Sequence, residues 1–253
     1  MITMTGASAL LQALDSGEVH AWTADVNAMV SRGFDLDAPS PDEWDRAARM
    51  HDLVRPRWLA CRVALRQVLA RYCAIPSEQI RFSYGPYGKP QIAGPVPRVQ
   101  FSLSHSKGLA LISVAGHPVG ADLEQVRPLN VRELADWFLS DQEHAQVLGE
   151  TGQARLALFF RCWTRKEAYL KAVGLGLSGS LTEFDVDLHP DAERALVAHR
   201  GDDREPDRWT LLTPPTRPTY VSAIVVSGRP RRLRSFALTS WSVASPVGPE
   251  KDQ

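Results

Sequence analysis

Residues 99–124, VQFSLSHSKGLALISVAGHPVGADLE, decide the fold of this chain. Apolar and polar residues alternate over Val99–Ser104, a second apolar run covers Leu109–Ala115, and a Gly-His-Pro turn leads into Val119–Glu124. Each run has the length and composition of a β-strand. Because helical segments precede and follow these strands and the strand pairings are mainly local, we predict the α+β class.

Two carboxylates stand at the end of the third strand, in the run VGADLE. Alternation places Asp122 and Glu124 on one face, about 6.5–7 Å apart along the strand. Such a face often simply contacts water. The same spacing also suits two oxygen ligands of a hard divalent cation beside a phosphate. The strand alone leaves both interpretations open.

An acid and a lysine lie four residues apart in the run WTRKEAYLK, which predicts a helix. Glu167 and Lys171 are therefore neighbours on one surface, and a simple ion pair is one interpretation. We expect Glu167 to lie within the apolar stripe of the helix, where an unpaired charge would cost several kcal/mol and would need a cation or strong donors. The water-facing side is predicted to carry Arg161, Thr164, Arg165 and Ala168.

Composition restricts the classes of function. The chain has 253 residues, of which 44% are hydrophobic, enough for one large domain or two small ones with real cores. Its formal net charge is zero, which gives no support to a nucleic-acid or membrane-surface role. The first twenty residues do not read as a secretory signal, and no apolar run is long enough to span a bilayer. We therefore expect a cytoplasmic protein, with three reduced cysteines and no zinc site.

Four polar runs occur in order: GKP at 88–90, FSLSHS at 101–106, VGADLE at 119–124 and WTRKEAYLKAVGLGL at 163–177. In this order and spacing they resemble the signatures of the surfactin-type (Sfp-type) 4′-phosphopantetheinyl transferases. The match extends from about Arg57 to Leu177 and includes WFLSDQE. Each run alone is a weak signal, whereas the ordered set is specific.

The resemblance implies the phosphopantetheinyl transferase fold, an α+β arrangement of two similar lobes related by pseudo-twofold symmetry. We place the lobes at residues 1–116 and 117–228, with coenzyme A in the cleft between them. Residues 229–253 are predicted to form a basic and then frayed C-terminal tail.

The resemblance also implies a reaction. A serine hydroxyl of an apo carrier protein attacks the β-phosphorus of coenzyme A, the phosphopantetheine arm moves to the serine, and adenosine 3′,5′-bisphosphate leaves. Coenzyme A is the co-substrate and Mg²⁺, with Mn²⁺ as a substitute, is the metal. The partners are acyl or peptidyl carrier proteins of polyketide, nonribosomal peptide or fatty acid synthases, and the enzyme is a monomer.

The matching positions assign roles to individual residues. Asp122, Glu124 and Glu167 match the family's metal ligands. Glu167 also matches its general base, and Lys171 matches the residue that stabilises or protonates the leaving phosphate. The cofactor-binding set that the resemblance implies is Arg57, Lys89, Ser104, His105 and Lys171.

Two other functions stay open on the sequence. A Mg²⁺-dependent nuclease also uses carboxylates and a lysine, but those enzymes usually place the acid and the lysine two apart on a strand, and zero net charge is unfavourable for a DNA substrate. A catalytically silent module that binds coenzyme A or a carrier is the second alternative. Binding alone would not require Glu167 inside an apolar stripe.

Overall fold

The computed structural model describes residues 4–94, 99–176 and 180–239. Its helices are α1 (Met4–Asp15), α2 (Val26–Arg32), α3 (Pro41–Ala48), α4 (Arg55–Cys73), α5 (Val131–Phe138), α6 (Asp141–Gly149) and α7 (Gly152–Val173). Its strands are β1 (Glu18–Asp25), β2 (Phe82–Tyr84), β3 (Pro90–Ile92), β4 (Gln100–Ser106), β5 (Leu109–Ala115), β6 (Val119–Gln125), β7 (Phe184–Val186), β8 (Leu196–His199), β9 (Trp209–Leu212), β10 (Tyr220–Ser227) and β11 (Arg232–Leu238). The predicted α+β class is confirmed.

The first large sheet has the strand order β11-β1-β5-β4. β4 and β5 form the predicted antiparallel hairpin, and Lys107 at its turn has a φ of 53°. β1 pairs with β5 in the antiparallel sense. One face of this sheet packs against α4, in a core that includes Trp22, Tyr72 and Ile112.

The basic segment near the C-terminus contributes to this sheet. β11 pairs with β1 in parallel, with Glu18 opposite Arg232 and Ala24 opposite Leu238. The part of the predicted tail up to residue 239 therefore includes an edge strand of the first sheet. Residues 240–253, predicted to be frayed, lie outside the described residues.

The second sheet has the strand order β6-β10-β9, and α7 packs against β6 and β10. The contact is closest at Gly120, where an added Cβ atom would stand 2.0 Å from the carbonyl oxygen of Ala168 and 2.3 Å from the nitrogen of Ala172. Only a residue without a side chain fits there. The helix that carries Glu167 and Lys171 therefore lies directly on the strand that carries the two carboxylates.

The two sheets share an inner core. It includes Val19 and Leu111 from the first sheet and Ala121 and Ile224 from the second. β4 lies beside β6 at this junction, although the two strands belong to different sheets. The polar runs FSLSHS and VGADLE are thereby brought side by side.

Two short hairpins complete the architecture. β2 pairs with β3, and β7 pairs with β8. Within the three described ranges, no helix is both long and apolar enough to cross a membrane.

Candidate active site

Asp122 is the most enclosed of the predicted site carboxylates, with 4% of its surface exposed. Its Oδ1 accepts a hydrogen bond from the hydroxyl of Ser104 at 2.8 Å and contacts the Nζ of Lys171 at 2.6 Å. Its Oδ2 is buried and has no hydrogen-bond partner within the described residues. A buried carboxylate oxygen without a partner is costly, so it marks a position where a donor or a cation fits.

Glu124 lies two residues further along β6 and repeats part of this pattern. Its Oε2 accepts from the hydroxyl of Ser106 at 2.8 Å and from Arg127 at 3.0 Å. The predicted same-face placement of Asp122 and Glu124 agrees with these contacts, since both carboxylates meet hydroxyls of the neighbouring strand β4.

The position of Glu167 on α7 differs from the prediction. Thr164, Arg165 and Ala168, predicted to face water, are buried, with at most 3% of their surface exposed. Glu167 and Lys171 are only partly buried and share the more open side of the helix. Because α7 is buried over most of its surface from Phe159 onward, the polar residues of that part are satisfied by protein groups. Arg165, for example, donates to the carbonyl oxygen of His189 at 2.9 Å.

The charges of Asp122 and Glu124 act on Glu167. Its pKa is raised, first by burial and then by the negative charges of Asp122 and Glu124, while Lys171 opposes the shift. A carboxylate with a raised pKa holds a proton more readily, which suits a general base.

A cavity of about 260 Å³ lies beside Lys171. It is lined by Arg62, Tyr87, Gly88, Lys89, Pro90, Phe101, Ser102, Leu103, Lys171, Gly174 and Gly176. Three of these residues carry positive charge, and two are aromatic, so the cavity suits a phosphorylated compound with a ring. Larger hollows exist elsewhere on the surface, but this one adjoins the acidic residues. Arg62, which lines it, is not among the site residues that the resemblance implies.

The lining of this cavity includes Lys89 but not His105 or Arg57. Lys89 lines it, but its Nζ donates to the carbonyl oxygens of Val119 at 3.1 Å and Ala172 at 2.9 Å. His105 is exposed as a residue. The pKa of its imidazole is lowered, first by desolvation and then by the charge of Lys171. Arg57 is also exposed, and it donates to Asn27 at 3.1 Å.

A second network of charged residues joins α6, α7 and β7. Glu143 and Lys166, each with 1% of its surface exposed, form an ion pair of 2.7 Å. Glu143 also accepts from the backbone nitrogens of Ser140 and Val186, and its contact with Ser140 forms a capping box at the start of α6. The network ties α6, α7 and β7 together, and none of its contacts involves the acidic residues of β6.

The donor set can be tested for a metal. Among residues 4–94, 99–176 and 180–239, no group of three or more His, Cys, Asp or Glu side chains is preformed to hold an ion. The ammonium of Lys171 occupies one oxygen of Asp122. The orphaned second oxygen of Asp122, with two further carboxylates within electrostatic reach, nevertheless supplies the hard oxygen donors that Mg²⁺ prefers. The residues present fit such an ion.

Comparison with known proteins gives these features a context. A family model described as the 4′-phosphopantetheinyl transferase superfamily matches residues 118–225. The 4′-phosphopantetheinyl transferase HetI of Nostoc sp. is 34% identical over 219 residues, which cover 84% of this chain and 89% of HetI. The chain belongs to the 4′-phosphopantetheinyl transferase family. The transferase Sfp of Bacillus subtilis is 32% identical over 158 residues, covering 62% of this chain and 70% of Sfp.

Membership confirms the resemblance to the Sfp-type enzymes. The protein is a transferase that uses coenzyme A to modify carrier proteins. Membership favours this activity over the nuclease and the silent binding module that the sequence left open.

Proposed function

We propose that the transfer is Mg²⁺-dependent and that Asp122, Glu124 and Glu167 hold the ion. The observation that supports this most strongly is the buried, unpartnered Oδ2 of Asp122 beside Lys171. When bound, Mg²⁺ supplies positive charge that neutralises the pyrophosphate oxygens of coenzyme A. Mn²⁺ prefers the same oxygen donors and is expected to substitute.

Glu167 accepts the proton of the attacking serine. As the serine oxygen forms its bond to the β-phosphorus of coenzyme A, the hydroxyl proton passes to the Glu167 carboxylate, directly or through a water molecule. The raised pKa of Glu167 makes it a stronger base than an exposed glutamate. Its place on the open side of α7 leaves it accessible to an incoming hydroxyl.

Lys171 serves the leaving group. The bond between the β-phosphorus and the bridging oxygen breaks, and the negative charge appears on the phosphate of adenosine 3′,5′-bisphosphate. The ammonium of Lys171, one helical turn from Glu167, lines the cavity and can donate a hydrogen bond or a proton to this phosphate.

The nucleotide end of coenzyme A is proposed to lie in the cationic cavity beside Lys171. Lys89 lines this cavity, and His105 lies close enough to Lys171 for that charge to lower its pKa. Arg57 completes the proposed set, to which the resemblance also adds Ser104. The hydroxyl of Ser104 already donates to Asp122, so a phosphate would have to compete with that bond.

We further propose the cellular setting. The substrates are apo acyl or peptidyl carrier proteins of polyketide, nonribosomal peptide or fatty acid synthases, and the enzyme acts in the cytoplasm. It works as a monomer whose lobes, 1–116 and 117–228, enclose coenzyme A. Analytical ultracentrifugation at the protein concentration of the assay measures the molecular mass in solution and so tests the monomeric state.

The proposal is tested by weighing the carrier. The full chain is incubated with coenzyme A, Mg²⁺ and a panel of apo carriers, and a mass gain of about 340 Da, that of the phosphopantetheine arm, is expected for at least one. Removal of Mg²⁺ with a chelator should stop the gain, and added Mn²⁺ should restore it. Activity that survives complete chelation would remove the metal from the proposal.

A matched pair of variants tests the base. Glu167→Gln keeps the shape of the side chain but cannot accept the proton, so the rate should fall by about 10²–10⁴-fold. Glu193→Gln makes the same chemical change at an exposed position outside the site and should leave the rate unchanged. A Glu167→Gln enzyme with a near-normal rate would contradict the assigned role.

A further inference from the structure

Two serines of β4 meet two carboxylates of β6 in a repeated pattern. The hydroxyl of Ser104 donates to Asp122 and accepts from the backbone nitrogen of Leu123 at 3.2 Å. The hydroxyl of Ser106 donates to Glu124 and accepts from the backbone nitrogen of Gln125 at 3.1 Å. In both cases one hydroxyl contacts a carboxylate and the N–H of the residue that follows it.

This pattern fixes the direction of each hydroxyl proton. A serine hydroxyl has a single proton to donate and accepts through its lone pairs. Since the backbone N–H points at the oxygen, the proton of Ser104 is directed to Oδ1 of Asp122, which keeps that oxygen in place. The second oxygen, Oδ2, is left buried and unpartnered within the described residues.

The serines also bridge the junction between the two sheets. β6 belongs to the sheet of β10 and β9, whereas β4 belongs to the first sheet. The two hydroxyls supply hydrogen bonds across strands that lie side by side without belonging to one sheet. Each serine therefore holds a carboxylate from across this junction, in addition to the cation that the carboxylate contacts, which is Lys171 for Asp122 and Arg127 for Glu124.

We infer that Ser104 and Ser106 are positioning residues, which orient Asp122 and Glu124 for the divalent cation from the opposite lobe. The inference rests on the proposed role of these two carboxylates as metal ligands. It gives Ser104 a task different from donation to a phosphate of coenzyme A. Outer groups that orient metal ligands typically change metal affinity by about 10–100-fold when they are removed.

The test measures metal affinity directly. Mn²⁺ is titrated into the full chain saturated with coenzyme A, and the concentration of free Mn²⁺ is measured by electron paramagnetic resonance. A titration of coenzyme A without protein gives the reference. Ser104→Ala and Ser106→Ala should each weaken Mn²⁺ binding by about tenfold, and the double variant by about 100-fold. Ser104→Thr keeps the hydroxyl and should restore most of the affinity lost in Ser104→Ala.

A matched control separates orientation from general packing. Ser113 is a fully buried serine on β5 whose hydroxyl has no partner within the described residues. Ser113→Ala makes the same chemical change without removing a hydrogen bond and should leave Mn²⁺ affinity unchanged. Thermal unfolding of each variant establishes that the chain is folded at the temperature of the titration.

The outcomes are distinguishable. If the wild-type chain binds Mn²⁺ and Ser104→Ala binds it equally well but requires more coenzyme A, the serine is a phosphate contact and the inference is wrong. If Ser113→Ala loses as much affinity as Ser104→Ala, the effect is general packing and the inference is also wrong. If the wild-type chain neither binds Mn²⁺ nor needs a divalent cation for transfer, the proposed metal dependence fails, and the positioning role falls with it.

Discussion

Gly120 is the position where a single methyl group should separate the two halves of the active site. In Gly120→Ala the new Cβ atom would stand 2.0 Å from the Ala168 oxygen and 2.3 Å from the Ala172 nitrogen, two backbone atoms of α7. Real Cβ contacts essentially never fall below 3.0 Å, so the helix backbone must retreat by at least about 1 Å. A flexible side chain could move aside, but the backbone of a buried helix cannot do so without moving its neighbours.

The magnitude follows from this displacement. Overpacking of a core typically costs about 1–3 kcal/mol, and we expect the upper end because both contacted atoms are backbone. The contact of 2.6 Å between Lys171 and Asp122 would lengthen to about 3.6 Å, which is no longer a hydrogen bond. Misplacement of catalytic groups by 1 Å can reduce a rate by about 10²-fold. Transfer should therefore fall by about that factor in molecules that remain folded.

The assay combines urea unfolding with the rate of mass gain of the carrier. Gly149→Ala is the matched control, since its added Cβ atom would meet no described atom within 4 Å other than the adjacent chain and the backbone of its own helix. It should change stability by less than about 0.5 kcal/mol. A Gly120→Ala chain with wild-type stability and wild-type rate would refute the reasoning, because it would show that α7 does not lie on β6 at the described distance.

Three further predictions concern individual side chains. Glu143→Gln should lower the free energy of unfolding by about 3–5 kcal/mol, because it leaves the buried ammonium of Lys166 without a carboxylate partner. Urea unfolding measures this loss, and a value below about 1 kcal/mol would contradict the prediction. Burial lowers the pKa of Lys89 to about 8, so the folded chain binds fewer protons than the unfolded chain between that pH and the ordinary pKa of lysine. The free energy of unfolding should therefore rise with pH across this window, and the gain should be lost as the pH falls through about 8. Lys89→Met should remove this pH dependence, which urea unfolding of the variant and the wild-type chain near both limits of the window measures. His105→Ala should raise the KM for coenzyme A by about tenfold with little change in kcat, since a single hydrogen bond to a charged phosphate is lost. A fall in kcat alone would show that His105 does not contact the nucleotide end of coenzyme A.

Much of the local structure could be predicted because it depends on periodicity and capping. The alternation over residues 99–104 and the apolar run over 109–115 correspond to β4 and β5, and the run WTRKEAYLK lies within α7. The Ser140–Glu143 capping box is local in the same way, since its partners are three residues apart. The short strands β3 and β8 could not be predicted from periodicity, because the Pro, Gly and charged residues around them are typical of turns.

Burial was harder to predict, because sequence periodicity assumes that polar residues face water. Lys166 and Arg165 are buried beside backbone carbonyls of a segment that follows α7 in the chain. These carbonyls, together with the Glu143 carboxylate in the case of Lys166, offset the cost of burying the two charges. The assignment of the water-facing side of α7 was therefore wrong for most of its residues. Glu167 nevertheless ended near the two carboxylates, as its pKa indicates.

The sequence by itself determined which residues could do the chemistry, since the order of four polar runs names the acids, the lysine and the family. Only the tertiary structure decided how they meet. β11 pairs with β1, although more than 200 residues separate the two strands in the sequence. Gly120 lets α7 approach β6, and the serines of β4 donate hydrogen bonds to the carboxylates of another sheet. These contacts join segments far apart in the chain, and they depend on packing distances that no local pattern of residues encodes.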